Sequence, residues 1–168
     1  TWRVSAVNEC KLCHNAESRN VLGFTRHQLM RPVRGSAGAT ELTHLFAIKA
    51  IEEEARVKED DPLRLVDPHD ETQGLEDRAR SYLHANCAYC HRPGGPTGVD
   101  MDLRYTLPLQ MASTNTCNMP PQAGDLGIAN ARLVAPGSPA RSILLQRILR
   151  RDAHGMPLGL QLVAPAGD

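Results

Sequence analysis

The chain has 168 residues, room for one ordinary domain or two small ones. Its 19 Lys+Arg balance 19 Asp+Glu, so no field of one sign argues for nucleic acid or an anionic membrane surface. Only 4% of residues are aromatic, which leaves a thin core, and no apolar run nears the roughly 20 residues that span a bilayer.

Residues 1–38 hold Cys10-Lys11-Leu12-Cys13-His14, then connections rich in Gly, Pro and Arg. Pro32, Gly35 and Gly38 mark a loop. The spacing of Leu42, Leu45, Phe46 and the Lys49 stem predicts a helix from about Thr40 to Lys58, with Glu52 to Glu54 solvated. Residues 59–74 contain Pro62, Pro68 and Gly74 and read as a linker. A second helix is expected from about Glu71 to Cys87, with Leu75, Ala79, Tyr82, Leu83 and Cys87 along one face. It delivers Cys87-Ala88-Tyr89-Cys90-His91 at its C-terminal end. Residues 92–137 read as loop, and a loop this long in a compact domain usually wraps something. Ser138-Pro139 opens a third helix, with Ser138 as N-cap and Pro139 at the first helical position. Ile143, Leu144, Ile148 and the Arg147 stem form its inner face, and it ends near Asp152.

The chain has five cysteines. Four fall into two copies of one pattern, Cys10 to His14 and Cys87 to His91, and Cys117 is left over as a structural residue. Two thiols three positions apart sit on one helical turn and can form thioethers with the two vinyl groups of a haem. The histidine that follows can then ligate the iron. A thioredoxin-type redox pair or half a zinc site explains a single C-x-x-C, and one Cys₄ zinc site could use both pairs. Each of those readings makes the following histidine a coincidence, twice. Two covalently bound haem c groups are therefore expected, on Cys10, Cys13 and His14 and on Cys87, Cys90 and His91. Two buried apolar cofactors would also supply the missing core.

Each iron then needs a sixth ligand. For the second haem the candidate is Met156, in Gly155-Met156-Pro157, 65 residues after His91 and beyond the third helix. Met119, in Met119-Pro120-Pro121, is the rival, and Met101 the third choice. For the first haem His44 is favoured, with His27 and Met30 as alternatives. His69, His84 and His154 read as solvated or supporting residues, and His84, one turn before the motif, is placed to touch a haem propionate.

The stretch Tyr82-Leu83-His84-Ala85-Asn86-Cys87-Ala88-Tyr89-Cys90-His91-Arg92-Pro93-Gly94-Gly95 resembles the haem motif of a bacterial family of di-haem c-type cytochromes. Members of that family also occur fused to, or beside, quinoprotein sugar dehydrogenases. Val21-Leu22-Gly23-Phe24, Ala123-Gly124-Asp125-Leu126-Gly127 and Ala135-Pro136-Gly137-Ser138-Pro139-Ala140-Arg141-Ser142 agree with it as well. The resemblance implies an exported electron carrier with two haems, and it supports Met156 over Met119. The family's arginine and asparagine after the Leu-Gly segment correspond here to His27 and Met30.

The fold expected is mainly α: two small haem-binding cytochrome c-type domains with long loops wrapping the haems. Residues 1–70 form the first, with its linker. Residues 71–168 form a class I cytochrome c-like domain without its closing helix, since only twelve residues follow Met156. The chain is thus expected to be part of a longer, processed protein. Its expected role is electron transfer, as a carrier or as a subunit of a larger redox or photosynthetic complex. The expected location is the bacterial periplasm or another extracytoplasmic space. Partners would be a dehydrogenase, an oxidase, a photosynthetic centre or another cytochrome, with no nucleic acid. If one iron lacks a sixth ligand, the alternative is a di-haem peroxidase-like enzyme. A zinc or structural module would be colourless.

Overall fold

The computed structural model describes residues 6–16, 20, 22–31, 39–52, 64–105 and 111–156. Helix accounts for 35% of them, and there are no strands among the described residues. The helices are α1 (Val7–Cys13), α2 (Arg26–Leu29), α3 (Glu41–Ala47), α4 (Leu75–Cys87) and α5 (Ile143–Leu149). Short 3₁₀ turns occupy Met111–Thr114 and Pro139–Arg141. None of these helices is long and apolar enough to cross a membrane.

The first half is held by side-chain caps. Thr25 and Gln28 close a capping box on α2, with the Thr25 N–H donating to Gln28 Oε1 at 2.7 Å. Thr40 Oγ1 accepts from the Thr43 N–H at 3.1 Å and starts α3. Met30 and Leu42 are buried where α2 meets α3. The helix expected to run to Lys58 stops at Ala47. Lys49 takes a left-handed φ of 56°. Its N–H donates to Phe46 O and the Ala50 N–H to Leu45 O, both at 2.9 Å. This is a Schellman closure with lysine where glycine is usual, so no glycine in the sequence signalled it. Residues 53–63, which include the rest of the expected helix and part of the expected linker, lie outside the described residues.

The described part of that linker, residues 64–74, packs on α4. The Val66 N–H donates to Ser81 Oγ at 3.0 Å, and Arg78 Nε donates to Pro68 O at 2.8 Å. Asp67 and Asp70 each accept backbone N–H groups two residues on, from His69 and Thr72. These turns hold residues 67–72 out of the helix, so α4 starts at Leu75 instead of Glu71. Glu76 and Asp77 then sit in its first turn, where the helix dipole favours negative charge.

The inner face of α4 differs from the one the apolar spacing predicts. Leu75, Ala79 and Tyr82 are exposed, while Leu83 and Cys87 pack against the core as expected. The buried positions are Arg80, Ser81, His84 and the flanking Ala88. Polar side chains take this face because Val66 supplies a partner for Ser81, and Met101–Tyr105, running back along the helix, supplies partners for Arg80 and His84. Arg80 Nη2 donates to Arg104 O at 3.0 Å, and the Tyr105 N–H donates to His84 Nδ1 at 2.9 Å.

The core joins Ala88, Met101, Leu103 and Leu133, with Leu83, Cys87, Val99 and Leu144 packed around it. The long segment after the second motif closes on itself through isolated parallel bridges, Cys117 to Val134 and Arg132 to Ser142. The third helical segment splits in two. Pro139–Arg141 is a 3₁₀ turn, and α5 begins after Ser142. Ser138 Oγ makes no cap bond; it accepts from Arg141 Nε at 3.0 Å. Ser142 Oγ instead donates to Ser138 O at 3.0 Å and accepts from the Ala135 N–H at 2.9 Å. Those bonds tie Ser142 to residues before the turn and break the helix there. Ile143 is buried, Leu144 and Ile148 are half-buried, and α5 ends at Leu149.

Candidate functional site

The two C-x-x-C-H segments use their helices in different ways. In the first, Cys10 and Cys13 both lie on α1 and His14 is its C-cap, with its N–H donating to Cys10 O at 2.9 Å. In the second, only Cys87 lies on α4. Cys90 and His91 continue the turn, and both of their N–H groups donate to Cys87 O, at 3.2 and 2.9 Å. In each case one helical turn stacks the second thiol and the histidine over the first thiol.

The imidazoles suit metal ligation. His14 Nδ1 lies 3.0 Å from Asn20 O. A carbonyl oxygen can only accept, so Nδ1 carries the proton and the Nε2 lone pair is left for a ligand. Asn20 presents that carbonyl from a tight turn, with a φ of 60° and its own N–H on Asn15 O at 2.7 Å. His91 is half-buried, and burial holds its pKa below the usual histidine value, which favours the neutral, ligating form. Its Nδ1 is buried with no hydrogen-bond partner among the described residues.

The thiols of the second motif do not suit thioredoxin-type chemistry. Burial pushes the Cys87 thiol up to about 11. Burial, with the neighbouring Cys13 sulfur, pushes Cys90 up to about 12. A nucleophilic cysteine needs the opposite shift. No three His, Cys, Asp or Glu side chains gather as a metal site among the described residues.

The motifs do meet at one point. Cys13 Sγ lies 3.3 Å from Cys90 Sγ, across 77 residues of sequence. Beside them the Tyr89 hydroxyl donates to Gly23 O, so the second motif also grips the segment after the first. His27, from α2, sets its ring edge-on to His84 of α4, with centroids 6.4 Å apart. The turn after the second motif is tight. A Cβ on Gly95 would stand 2.1 Å from Cys90 O, so only glycine fits there.

The candidate sixth ligands sit in different surroundings. Met101 is a core residue and Met119 is 41% exposed. Met156 is half-buried, and its N–H donates to Arg147 O at 2.9 Å. Arg147 also donates from Nη1 to His154 O at 3.1 Å and from Nη2 to Ala123 O at 2.6 Å. One side chain of α5 therefore ties the Met156 loop to the Ala123–Gly127 loop. Met30 is buried under α3, and His44 is exposed on α3. His27 lies beside His84. Cys117 is half-buried, with its backbone in a bridge to Val134.

Sequence reasoning missed Tyr89, Arg80, Asn20 and Arg147 as positioning residues. Arg80 and His84 carried a readable signal: they stand at i and i+4 with Ala88 next on the same stripe. The Asn20 and Arg147 contacts run through backbone carbonyls and leave no pattern in side-chain type. The chain matches no family model, no curated protein and no solved structure.

Proposed function

We propose that the chain is a di-haem c-type cytochrome that passes single electrons between redox partners outside the cytoplasm. Cys10 and Cys13 hold one haem by thioether bonds, and Cys87 and Cys90 hold the other. His14 and His91 ligate the irons, Met156 completes the second, and His44 is the candidate for the first. The bound haem supplies one-electron iron chemistry. The protein's own residues anchor it, and the Asn20 carbonyl fixes the tautomer of His14. The reading rests on one observation above all: Cys13 Sγ and Cys90 Sγ lie 3.3 Å apart, so the two attachment points are neighbours. Centres anchored side by side give an entry and an exit for an electron within one short chain. The second iron, with a thioether as sixth ligand, would sit at the higher potential. The partners would be redox proteins, such as a dehydrogenase, an oxidase, a photosynthetic centre or another cytochrome.

A spectroelectrochemical titration tests this. Two one-electron steps are expected, and His14→Gly and His91→Gly should each alter a different one. A chain with no redox-active visible band would rule the reading out. Peroxide reduction at the first iron is the second reading, favoured by the exposure of His44 on α3. A high-spin signal with peroxide turnover would support it, and a fully low-spin spectrum would remove it.

A further inference from the structure

Cys13 closes α1, and Cys90 lies in the turn after α4. Their sulfurs are 3.3 Å apart. A disulfide brings two sulfurs to about 2.05 Å. A shift of about 1.3 Å would therefore close the bond. The pair on α1, Cys10 and Cys13, is less well placed. Residues three apart on a helix hold their Cβ atoms about 5–6 Å apart. A disulfide needs about 3.5–4.5 Å. Joining Cys10 to Cys13 would have to draw those Cβ atoms together within the last turn of α1.

We propose that the haem-free chain forms a disulfide between Cys13 and Cys90, and that this bond excludes full haem attachment at both motifs. The oxidant is a small or protein disulfide, acting by exchange. The Cys13 thiolate attacks it and releases one of its thiols, leaving a mixed disulfide on Cys13. Cys90, its sulfur already 3.3 Å away, then gives up its proton and displaces the other thiol. One S–S bond forms and one breaks, and the two electrons and two protons leave with the oxidant as two thiols. Thioether formation is different: a thiol adds across a vinyl group, with no net oxidation. A sulfur held in a disulfide has no thiol to add. The bond takes one sulfur from each motif and leaves only Cys10 and Cys87, so neither haem could gain both thioethers. The exclusion rests on reading both motifs as haem sites; the disulfide rests on geometry alone.

The full chain, made without haem attachment, is equilibrated with oxidised glutathione, digested without reduction and mapped by mass spectrometry. The expected product is the Cys13 peptide joined to the Cys90 peptide, lost in Cys13→Ser and in Cys90→Ser. Cys10–Cys13 and Cys87–Cys90 pairs, or glutathione on both Cys13 and Cys90, would overturn the proposal. For the exclusion, wild type and Cys13→Ser are expressed beside a haem-attachment apparatus in an oxidising compartment, with and without a thiol reductant. The reductant should raise two-thioether attachment at Cys87 and Cys90 in wild type and leave Cys13→Ser unchanged. Equal loading of the two without reductant would overturn the exclusion. A chain that takes no haem under any condition defeats the haem reading, and the exclusion with it. The peptide map decides the disulfide separately.

Discussion

The Tyr105 N–H donates to His84 Nδ1 at 2.9 Å, deep against α4. The bond requires an unprotonated Nδ1. Burial, then the nearby His27, Arg80 and Arg104, push His84 down to about 4 from an ordinary 6.5. The unfolded chain therefore binds a proton that the folded chain refuses between those values. Stability should be full above pH 6.5 and fall as the pH drops to 4, by about 3 kcal/mol in total. Urea unfolding at stepped pH reads this directly. His84→Asn keeps an acceptor near the Nδ1 position and should flatten the slope. His84→Leu strands the Tyr105 N–H and should cost about 1–3 kcal/mol at neutral pH.

Lys49 holds a left-handed conformation at the end of α3. That geometry costs an L-residue about 1–2 kcal/mol. Lys49→Gly should relieve most of it, for a net gain of about 0.5–1 kcal/mol after the extra freedom glycine gives the unfolded chain. Thermal unfolding of the two proteins checks it, and a lower midpoint for the glycine variant would refute the Schellman closure.

Gly95 sits where a Cβ would meet Cys90 O at 2.1 Å. Backbone would have to move to admit alanine. Gly95→Ala should cost about 3 kcal/mol or more. It should also reduce haem attachment at Cys87 to His91 without affecting Cys10 to His14. Haem-peptide mapping separates the two motifs.

Arg147 anchors the Met156 loop through its carbonyl and Nη1, and ties it to Ala123 through Nη2. Met156→Ala should lower the potential of one haem and raise its high-spin fraction, since a thioether ligand favours the reduced iron. Arg147→Ala, with the ligand still present, should shift the same haem in the same direction but by less. Potentiometry with optical detection distinguishes the two variants. A change at the other haem, or at neither, would take Met156 out of the coordination sphere.

The two motifs, the helix before the second motif and the helical segment after Pro139 were all legible in the sequence. They rest on fixed spacing and on turn chemistry. The inner face of α4 was not. Leu75, Ala79 and Tyr82 kept helical spacing yet face solvent, because the partners of Arg80, Ser81 and His84 come from distant segments. The end of α3 was hidden by a lysine in a glycine's place. The meeting of Cys13 with Cys90 is a tertiary contact across 77 residues, which no local pattern encodes.

The central claim is that both motifs bind haem. A pyridine haemochrome spectrum of the purified chain, divided by protein concentration, tests it most directly. Two haems per chain are expected. One haem would leave one motif without its role and remove the two-centre relay. None, from a host with haem-attachment machinery, would contradict the account.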